Sequence, residues 1–217
     1  MREVRIWFVK RGEARYISHL DLNRFMLRAL RRTKLPIWYT EGYNPHPYLT
    51  FSLPLSLGFE SVCESMDLRI MQDDCSNEEV FRRLSAAMPE SLAILKVTDP
   101  LMKQKCITAA DYELEFSLPR EKADPLWEFL SGDLIPVTKN TKKGGEKQIN
   151  LKDHLHHIRL DRTQCGVRLS VRLDAGNIVN INPMLLVTAI QEALGITCSD
   201  VSVTRKDMLD GDGRSFC

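Results

Sequence analysis

Apolar and polar residues alternate at the start of the chain. Further along, segments with strand-like alternation and segments with helical spacing follow one another in a regular order. "EVRIWFVK" alternates as a β-strand does. Ser18 then has the features of a helix N-cap, and the apolar residues from Leu22 to Leu30 recur at helical spacing until Pro36 ends the helix. "PIWYT" and "ESMDLRI" are typical of strands, Ser76 opens a second helix with a capping box, and "LAILKV" is a compact apolar strand.

The second half of the sequence shows a similar order of elements. "DYELEFSL" predicts a strand, "PLWEFLSG" a helix, and "LIPVTK", "HHIRL" and "GVRLSVRLD" further strands. Asn182 and Pro183 are a strong start for the helix "PMLLVTAIQEAL", and Gly195 suits the position just past its end. "DVSVTRK" predicts the last strand.

This order of elements predicts an α+β protein made of two ferredoxin-like (βαββαβ) units in tandem. We expect the N-terminal unit to span residues 1–99, a linker to span 100–106, and the C-terminal unit with a short tail to span 107–217. In each unit the connection between the middle strands is predicted to be enlarged, at residues 40–61 and again around "NTKKGGEKQINLKDHLHH". A single fused α+β domain is the alternative.

The composition is that of an ordinary soluble globular protein, with 43% hydrophobic and 27% charged residues. There is no apolar run long enough for a membrane span and no pattern of a secretory signal, so we expect a cytoplasmic protein that does not contact a membrane. The six cysteines are too far apart in sequence for a zinc knuckle or an iron–sulfur trio, which predicts free thiols, no metal and no cofactor.

The net charge of +1 conceals two basic segments. Residues 1–48 hold ten Lys and Arg against four Asp and Glu, and residues 139–172 hold nine against three. Within the first segment, the predicted helix carries Arg24, Arg28 and Arg31 on one face, and Arg32 extends it. Such a face suits a phosphate backbone, although a merely solvated helix surface is the alternative.

The segment "YTEGYNPHPYLTF" follows this helix and places Tyr43, His46 and Tyr48 among prolines. Aromatic rings close to arginines are typical of proteins that hold single-stranded RNA by base stacking and phosphate contacts. The alternative is that the rings pack inward and the prolines make a rigid structural brace. Lys142, Lys143 and Lys147 in the second half could add a cationic loop beside RNA, or could be solvated.

Histidines offer two further hypotheses. His19 and His46 are weak candidates for the acid–base pair of a metal-independent ribonuclease. "DHLHH" contains His154, His156 and His157, which could hold a metal, but the sequence contains no second cluster of ligands to complete such a site.

The stretch from "RYISHLDLNRFMLRALRR" through "GYNPHP" and "PLSLGFE" resembles the signature of the radical-SAM-linked protein family, a domain of unknown function encoded beside or fused to radical SAM proteins. The resemblance is specific over about residues 14–70. It implies a radical SAM partner and assigns no reaction. A weaker likeness, in architecture and basic helix only, is to the endoribonucleases that process CRISPR RNA.

We therefore expect a non-catalytic RNA-binding accessory module that works with a radical SAM enzyme on RNA, such as tRNA or rRNA. One alternative is a protein–protein adaptor that docks onto the radical SAM partner. The other is a metal-independent endoribonuclease.

Overall fold

The computed structural model describes residues 1–72, 74–140, 145–164, 166–197 and 201–217. It is a mixed α+β protein with four α-helices and mostly antiparallel sheet in those ranges. Contacts divide the chain into two compact units: unit 1 is Met1–Cys106 with Phe216–Cys217, and unit 2 is Ile107–Ser215. Among the described helices, none is long and apolar enough to cross a membrane.

Unit 1 is built around a central strand that pairs on both sides. Its elements are β1 (Arg2–Lys10), α1 (His19–Thr33), β2 (Leu49–Phe51), β3 (Glu60–Ile70), α2 (Asn77–Ser85) and β4 (Ile94–Thr98). β1 pairs antiparallel with β3 and with β4, and β2 pairs antiparallel with β3. The apolar faces of α1 and α2 pack on alternate residues of β1, so one core of Val, Ile, Leu, Met and Phe side chains holds sheet and helices together.

The described part of unit 2 contains six strands and two α-helices. Its elements are β5 (Ala109–Phe116), α3 (Ala123–Ser131), β6 (Pro136–Asn140), β7 (Glu146–Asn150), β8 (Leu155–Arg162), β9 (Val167–Asp174), α4 (Pro183–Leu194) and β10 (Val201–Leu209). β5 pairs antiparallel with β9 and β10, and β8 pairs antiparallel with β9. β6 and β7 form a separate two-stranded sheet.

Two expected strands differ from the structure. "PIWYT" is not a strand, because Ile37 and Tyr39 make only isolated bridges, to Ile70 and Pro47. Prolines at 36, 45 and 47 remove backbone donors, so a continuous ladder cannot form there. The strand expected from "LIPVTK" does form as β6, but it pairs with β7 outside the main sheet.

The position of the enlarged connection in unit 1 is also corrected. Residues 40–48 precede β2, so they connect α1 to the sheet and do not join the two middle strands. Residues 52–59 make the join between β2 and β3. In unit 2, the enlarged region before β8 contains the β6–β7 hairpin.

Unit 1 is completed by residues from far along the chain. Arg5 is fully buried, and its guanidinium makes a bidentate ion pair with Asp67 at 2.8 and 2.9 Å. It also donates to the carbonyl oxygens of Met102 (2.8 Å) and Cys217 (2.6 Å). The ring of Phe216 lies 4.1 Å from the same guanidinium, and Phe216 is itself buried. Every nitrogen of Arg5 therefore has an acceptor, which is what a buried charge requires.

Candidate nucleic-acid interface

The first helix carries the basic face because its N-terminus is well capped and its opposite face is apolar. Ser18 Oγ accepts the N–H of Asp21 at 3.1 Å, which fixes the start of α1. Leu22, Met26 and Leu30 are buried in the core of unit 1. The helix geometry then places the arginines on the solvent side, where Arg24, Arg28, Arg31 and Arg32 are all exposed.

The exposed arginines differ in their partners. Arg24 lies 3.3 Å from Asp21, one turn earlier, so its charge is partly neutralised. Arg32 donates to the carbonyl oxygen of Ala87 at 3.0 Å. Arg28 and Arg31 make no side-chain hydrogen bond or ion pair with any residue that the structure describes. These two guanidinium groups are therefore the ones most available to an external anion.

The loop that follows α1 is fixed by backbone hydrogen bonds at its base, and its tip is exposed to solvent. Tyr39 and Pro47 form an isolated bridge, and the backbone N–H of Thr40 donates to the carbonyl oxygen of His46 at 2.9 Å. His46 Nδ1 lies 3.2 Å from Thr40 Oγ1, so this exposed histidine closes the loop. The tip is Gly42, at φ 138°, followed by Tyr43, whose side chain is fully exposed.

Tyr48 has a different environment from Tyr43. Its ring lies 5.5 Å from that of Trp38 in an edge-to-face arrangement, and the guanidinium of Arg69 lies 4.4 Å from the Tyr48 ring centre. Trp38 and Arg69 were not among the expected site residues. The sequence offered two signals for them. One is the aromatic content of "PIWYT", and the other is the alternation of β3, which places Arg69 on the face opposite to the buried Leu68 and Ile70.

The expected lysines of unit 2 are only partly described. Lys142 and Lys143 lie outside the described residues. Lys147 is exposed in β7, directly across the hairpin from Lys139. Lys139 donates to the carbonyl oxygen of Asn180 at 2.8 Å. Like charges on directly opposed residues destabilise a hairpin, so an anion near this pair would relieve the repulsion.

No described contact brings His19 and His46 together. His19 is the first residue of α1, is half-buried, and lies edge-on to Phe51 at 4.9 Å. Burial lowers the pKa of His19 below its ordinary value, the Glu64 carboxylate acts to raise it, and the Lys10 ammonium acts to lower it. Both of these charged residues are buried, and Lys10 Nζ donates to the carbonyl oxygen of Arg15 at 3.1 Å.

Lys10 and Glu64 were missed by the sequence reasoning. Both lie on predicted strands, where alternation alone does not reveal a buried charge. The register of β1 against β3 shifts between Phe8 and Lys10, which is the irregularity that a bulge makes. Two buried charges of opposite sign therefore act on the pKa of His19, whereas His46 lies on the surface.

Two histidines of unit 2 share one carboxylate. His154 Nδ1 lies 2.8 Å from Asp174 Oδ2, and His156 Nε2 lies 3.0 Å from Asp174 Oδ1. His157 has a positive φ of 47° and is exposed. Across the described ranges, no group of three or more His, Cys, Asp or Glu residues is arranged to hold a metal ion.

Comparison with known families decides where the chain is classified. A family described as "Uncharacterized protein conserved in bacteria (DUF2344)" matches residues 3–183, which is most of the chain. The chain belongs to this family. The description of the DUF2344 family names no activity and no partner. No curated protein matches the sequence.

A solved structure shares the fold of this DUF2344 protein. It is titled "Crystal Structure of a Cbf5-Nop10-Gar1 Complex", and the similarity has a TM-score of 0.50 at 11% sequence identity. The alignment covers 94% of this chain and 48% of that chain, so the protein spans about half the length of its structural neighbour. At this identity the likeness is one of fold.

Proposed function

We propose that the protein is an RNA-binding accessory module that works with a radical SAM enzyme in the cytoplasm, and that it is not itself the catalyst. The observation that carries the proposal is the pair Arg28 and Arg31, exposed and without described partners, on the helix that leads to the Tyr43 loop. Tyr39, at the base of that loop, follows the end of α1 by six residues, so at most about 22 Å of chain separates them.

The two parts of this surface would supply different contributions. Arginines that contact phosphates provide affinity that falls as salt rises. An exposed ring on a pinned loop provides base stacking, which is worth about 1–3 kcal/mol per base and tolerates any sequence. Single-stranded or looped RNA offers both phosphates and unstacked bases, which is why it fits better than a duplex.

The partner and the fold are proposed on other grounds. The resemblance carried by the signature from "SHLDLNRF" to "PLSLGFE" supports a radical SAM partner, and the proposed RNA binding adds tRNA or rRNA as the shared substrate. The strand orders β4-β1-β3-β2 in unit 1 and β10-β5-β9-β8 in unit 2 support the interpretation of each unit as ferredoxin-like.

The test is binding of a fluorescein-labelled single-stranded RNA oligonucleotide, followed by anisotropy at several salt concentrations. Changing Arg28 and Arg31 together to Ala should weaken binding and flatten the plot of log K against log[salt] by roughly 0.7 to 1 unit for each lost phosphate contact. Tyr43→Ala should weaken binding and leave that slope nearly unchanged.

The matched control removes two positive charges elsewhere in unit 1. Lys103 and Lys105 are exposed and lie outside α1, and changing both to Ala should reduce binding far less than the arginine pair does. If the two double variants behave alike, only net charge matters and no site exists on α1. If wild-type protein does not bind RNA, the proposal is wrong.

A specific surface favours the adaptor as the second candidate. Tyr16 and Leu57 are 64% and 62% exposed, and they flank the hydrogen bond from the Gly58 N–H to the Arg15 carbonyl oxygen (2.8 Å). Leu20, in the first turn of α1, is also exposed. Large exposed side chains such as those of Tyr16 and Leu57, which the hydrogen bond between Gly58 and Arg15 holds in neighbouring segments, are typical of protein interfaces. Loss of partner binding on changing Leu20 and Leu57 to Ser, with RNA binding retained, would assign this surface to the partner.

The ribonuclease alternative has weaker support. It requires an acid and a base at one scissile bond. His46 is occupied in closing its own loop, and His19 lies against Phe51 at the other end of the preceding helix.

A further inference from the structure

Arg69, on β3, holds its guanidinium against two aromatic rings. Its central carbon lies 4.4 Å from the ring centre of Tyr48 and 5.3 Å from that of Trp38. The two rings are 5.5 Å apart and inclined at 63°, so they form a corner in which the guanidinium lies. A cation in such a position is attracted by the electron-rich ring faces.

The corner is fixed by the backbone as well as by the rings. The Trp38 N–H donates to the Arg69 carbonyl oxygen at 2.8 Å, and the Tyr48 N–H donates to the Trp38 carbonyl oxygen at 3.0 Å. Arg69 Nε donates to Glu3 Oε1 on the neighbouring strand β1 at 3.1 Å. Three segments of unit 1 therefore determine where this guanidinium lies, and little freedom is left to lose on binding a ligand.

The two terminal nitrogens of Arg69 make no hydrogen bond with the residues that the structure describes. Within the described ranges, the hydrogen bonding of the side chain is confined to Nε, and the side chain is 32% exposed. Two NH₂ groups held in a plane form a fork that matches the oxygens of a phosphate. A lysine cannot form this fork, nor can it stack flat on the rings.

We propose that Arg69, held by Trp38 and Tyr48, binds a backbone phosphate of single-stranded RNA. The inference rests on the proposed RNA-binding function and adds a contact outside the helix α1. Tyr48 then acts as a positioning residue for Arg69, whereas Tyr43 at the loop tip stacks on a base. Because a phosphate is common to every nucleotide, this contact carries no base preference.

The decisive variant is Arg69→Lys, which retains the charge and loses both the fork and the stacking. We expect it to weaken RNA binding about tenfold, the loss typical of one charge-assisted bidentate contact. The loss should be similar for oligo(A), oligo(C) and oligo(U) and for an oligonucleotide containing guanine. Arg11→Lys is the matched control: Arg11 also pairs with a glutamate, Glu90, at 3.2 Å, but it belongs to neither the α1 face nor the Arg69 corner, so this variant should retain binding.

A second variant separates ligand binding from a structural role. Glu3→Gln removes the ion pair that partly neutralises Arg69 and leaves the rings in place. If Arg69 binds phosphate, RNA binding should be unchanged or tighter. If Arg69 only braces the strands, Glu3→Gln should weaken binding as Arg69→Lys does, which would overturn the inference.

The outcomes distinguish this inference from the function on which it rests. Wild-type binding that Arg69→Lys leaves within about twofold overturns the role of Arg69 and leaves the α1 site standing. A loss confined to the guanine-containing oligonucleotide overturns the phosphate assignment. No binding by the wild-type protein overturns the proposed function and this inference together. Circular dichroism of each variant identifies one that has merely unfolded.

Discussion

At the scale of single residues, arginines that look equivalent in sequence are not equivalent in the structure. Arg24, Arg28 and Arg31 share a helix face, but among the residues that the structure describes only Arg24 has an acidic neighbour at ion-pair distance. The spacing could predict the face, because the helical period is local. It could not rank the residues, because side-chain partners depend on which rotamers the neighbouring turns permit.

We predict that Arg28→Ala weakens RNA binding more than Arg24→Ala does. Asp21 already offsets part of the charge of Arg24, so less attraction for phosphate is lost when that arginine is removed. Anisotropy titrations at low salt would measure both dissociation constants. Asp21→Asn removes the carboxylate that offsets the charge of Arg24, so this variant should bind RNA more tightly. A larger loss from Arg24→Ala would contradict this ranking.

We also predict that His19 makes stability depend on pH. Its pKa is lowered in the folded protein, chiefly by burial, so near pH 6 the unfolded chain binds more protons at this residue than the folded one. The free energy of unfolding should therefore fall as pH falls from about 7 through 6.5, the ordinary histidine value.

His19→Asn removes the proton-binding group and should flatten this part of the stability profile. The measurement is urea unfolding of both proteins across that pH range. At pH 8, where neither state of His19 binds a proton, the comparison gives the effect of the substitution on packing alone. Parallel pH profiles for the two proteins would show that the imidazole does not titrate differently on folding.

At the scale of elements, helix starts were predictable and the strand "PIWYT" was not. Ser18, Ser76 and Asn182 each accept a backbone N–H two or three residues on, as the capping patterns indicate. Capping is decided within one turn of chain. Strand formation depends on a partner elsewhere, and the prolines around residues 36–47 leave that segment unable to complete a ladder.

The cap of α4 gives a prediction for stability. Asn182 Oδ1 accepts the Met184 N–H at 3.0 Å, and Pro183 has no N–H to satisfy. Asn182→Ala should lower the free energy of unfolding of unit 2 by about 1 kcal/mol, and Asn182→Asp should retain most of it. Chemical denaturation followed by far-ultraviolet circular dichroism would test this. Equal loss in the two variants would mean that the side-chain bond contributes nothing.

At the scale of the whole chain, the sequence indicated two halves with the same order of elements. It contained no signal that residues after β10 return to unit 1, since one aromatic residue following "DGDGRS" has no periodicity to interpret. The contact of Phe216 with Trp7 and Arg5 depends on the arrangement of distant segments. Patterns local to the sequence do not carry this information.

Phe216→Ala should destabilise unit 1 by about 3 kcal/mol, because it removes a buried ring and leaves a cavity beside a buried guanidinium. Phe216→Leu should cost less, since it refills much of the volume. The ring centres of Trp7 and Phe216 are 6.0 Å apart, so tryptophan fluorescence can follow the unfolding. A variant as stable as the wild type would show that this contact is dispensable.

The same contact has a consequence for synthesis on the ribosome. Arg5 and the carbonyl of Cys217 that it binds are separated by 212 positions in sequence. At about 5–20 residues per second, translation takes roughly 10 to 40 s to cover that distance. Unit 1 can therefore gain the contacts that Phe216 and Cys217 make with Arg5 and Trp7 only after that interval. We expect the completion of unit 1 to be timed by the synthesis of Phe216 and Cys217 rather than by the collapse of its own core.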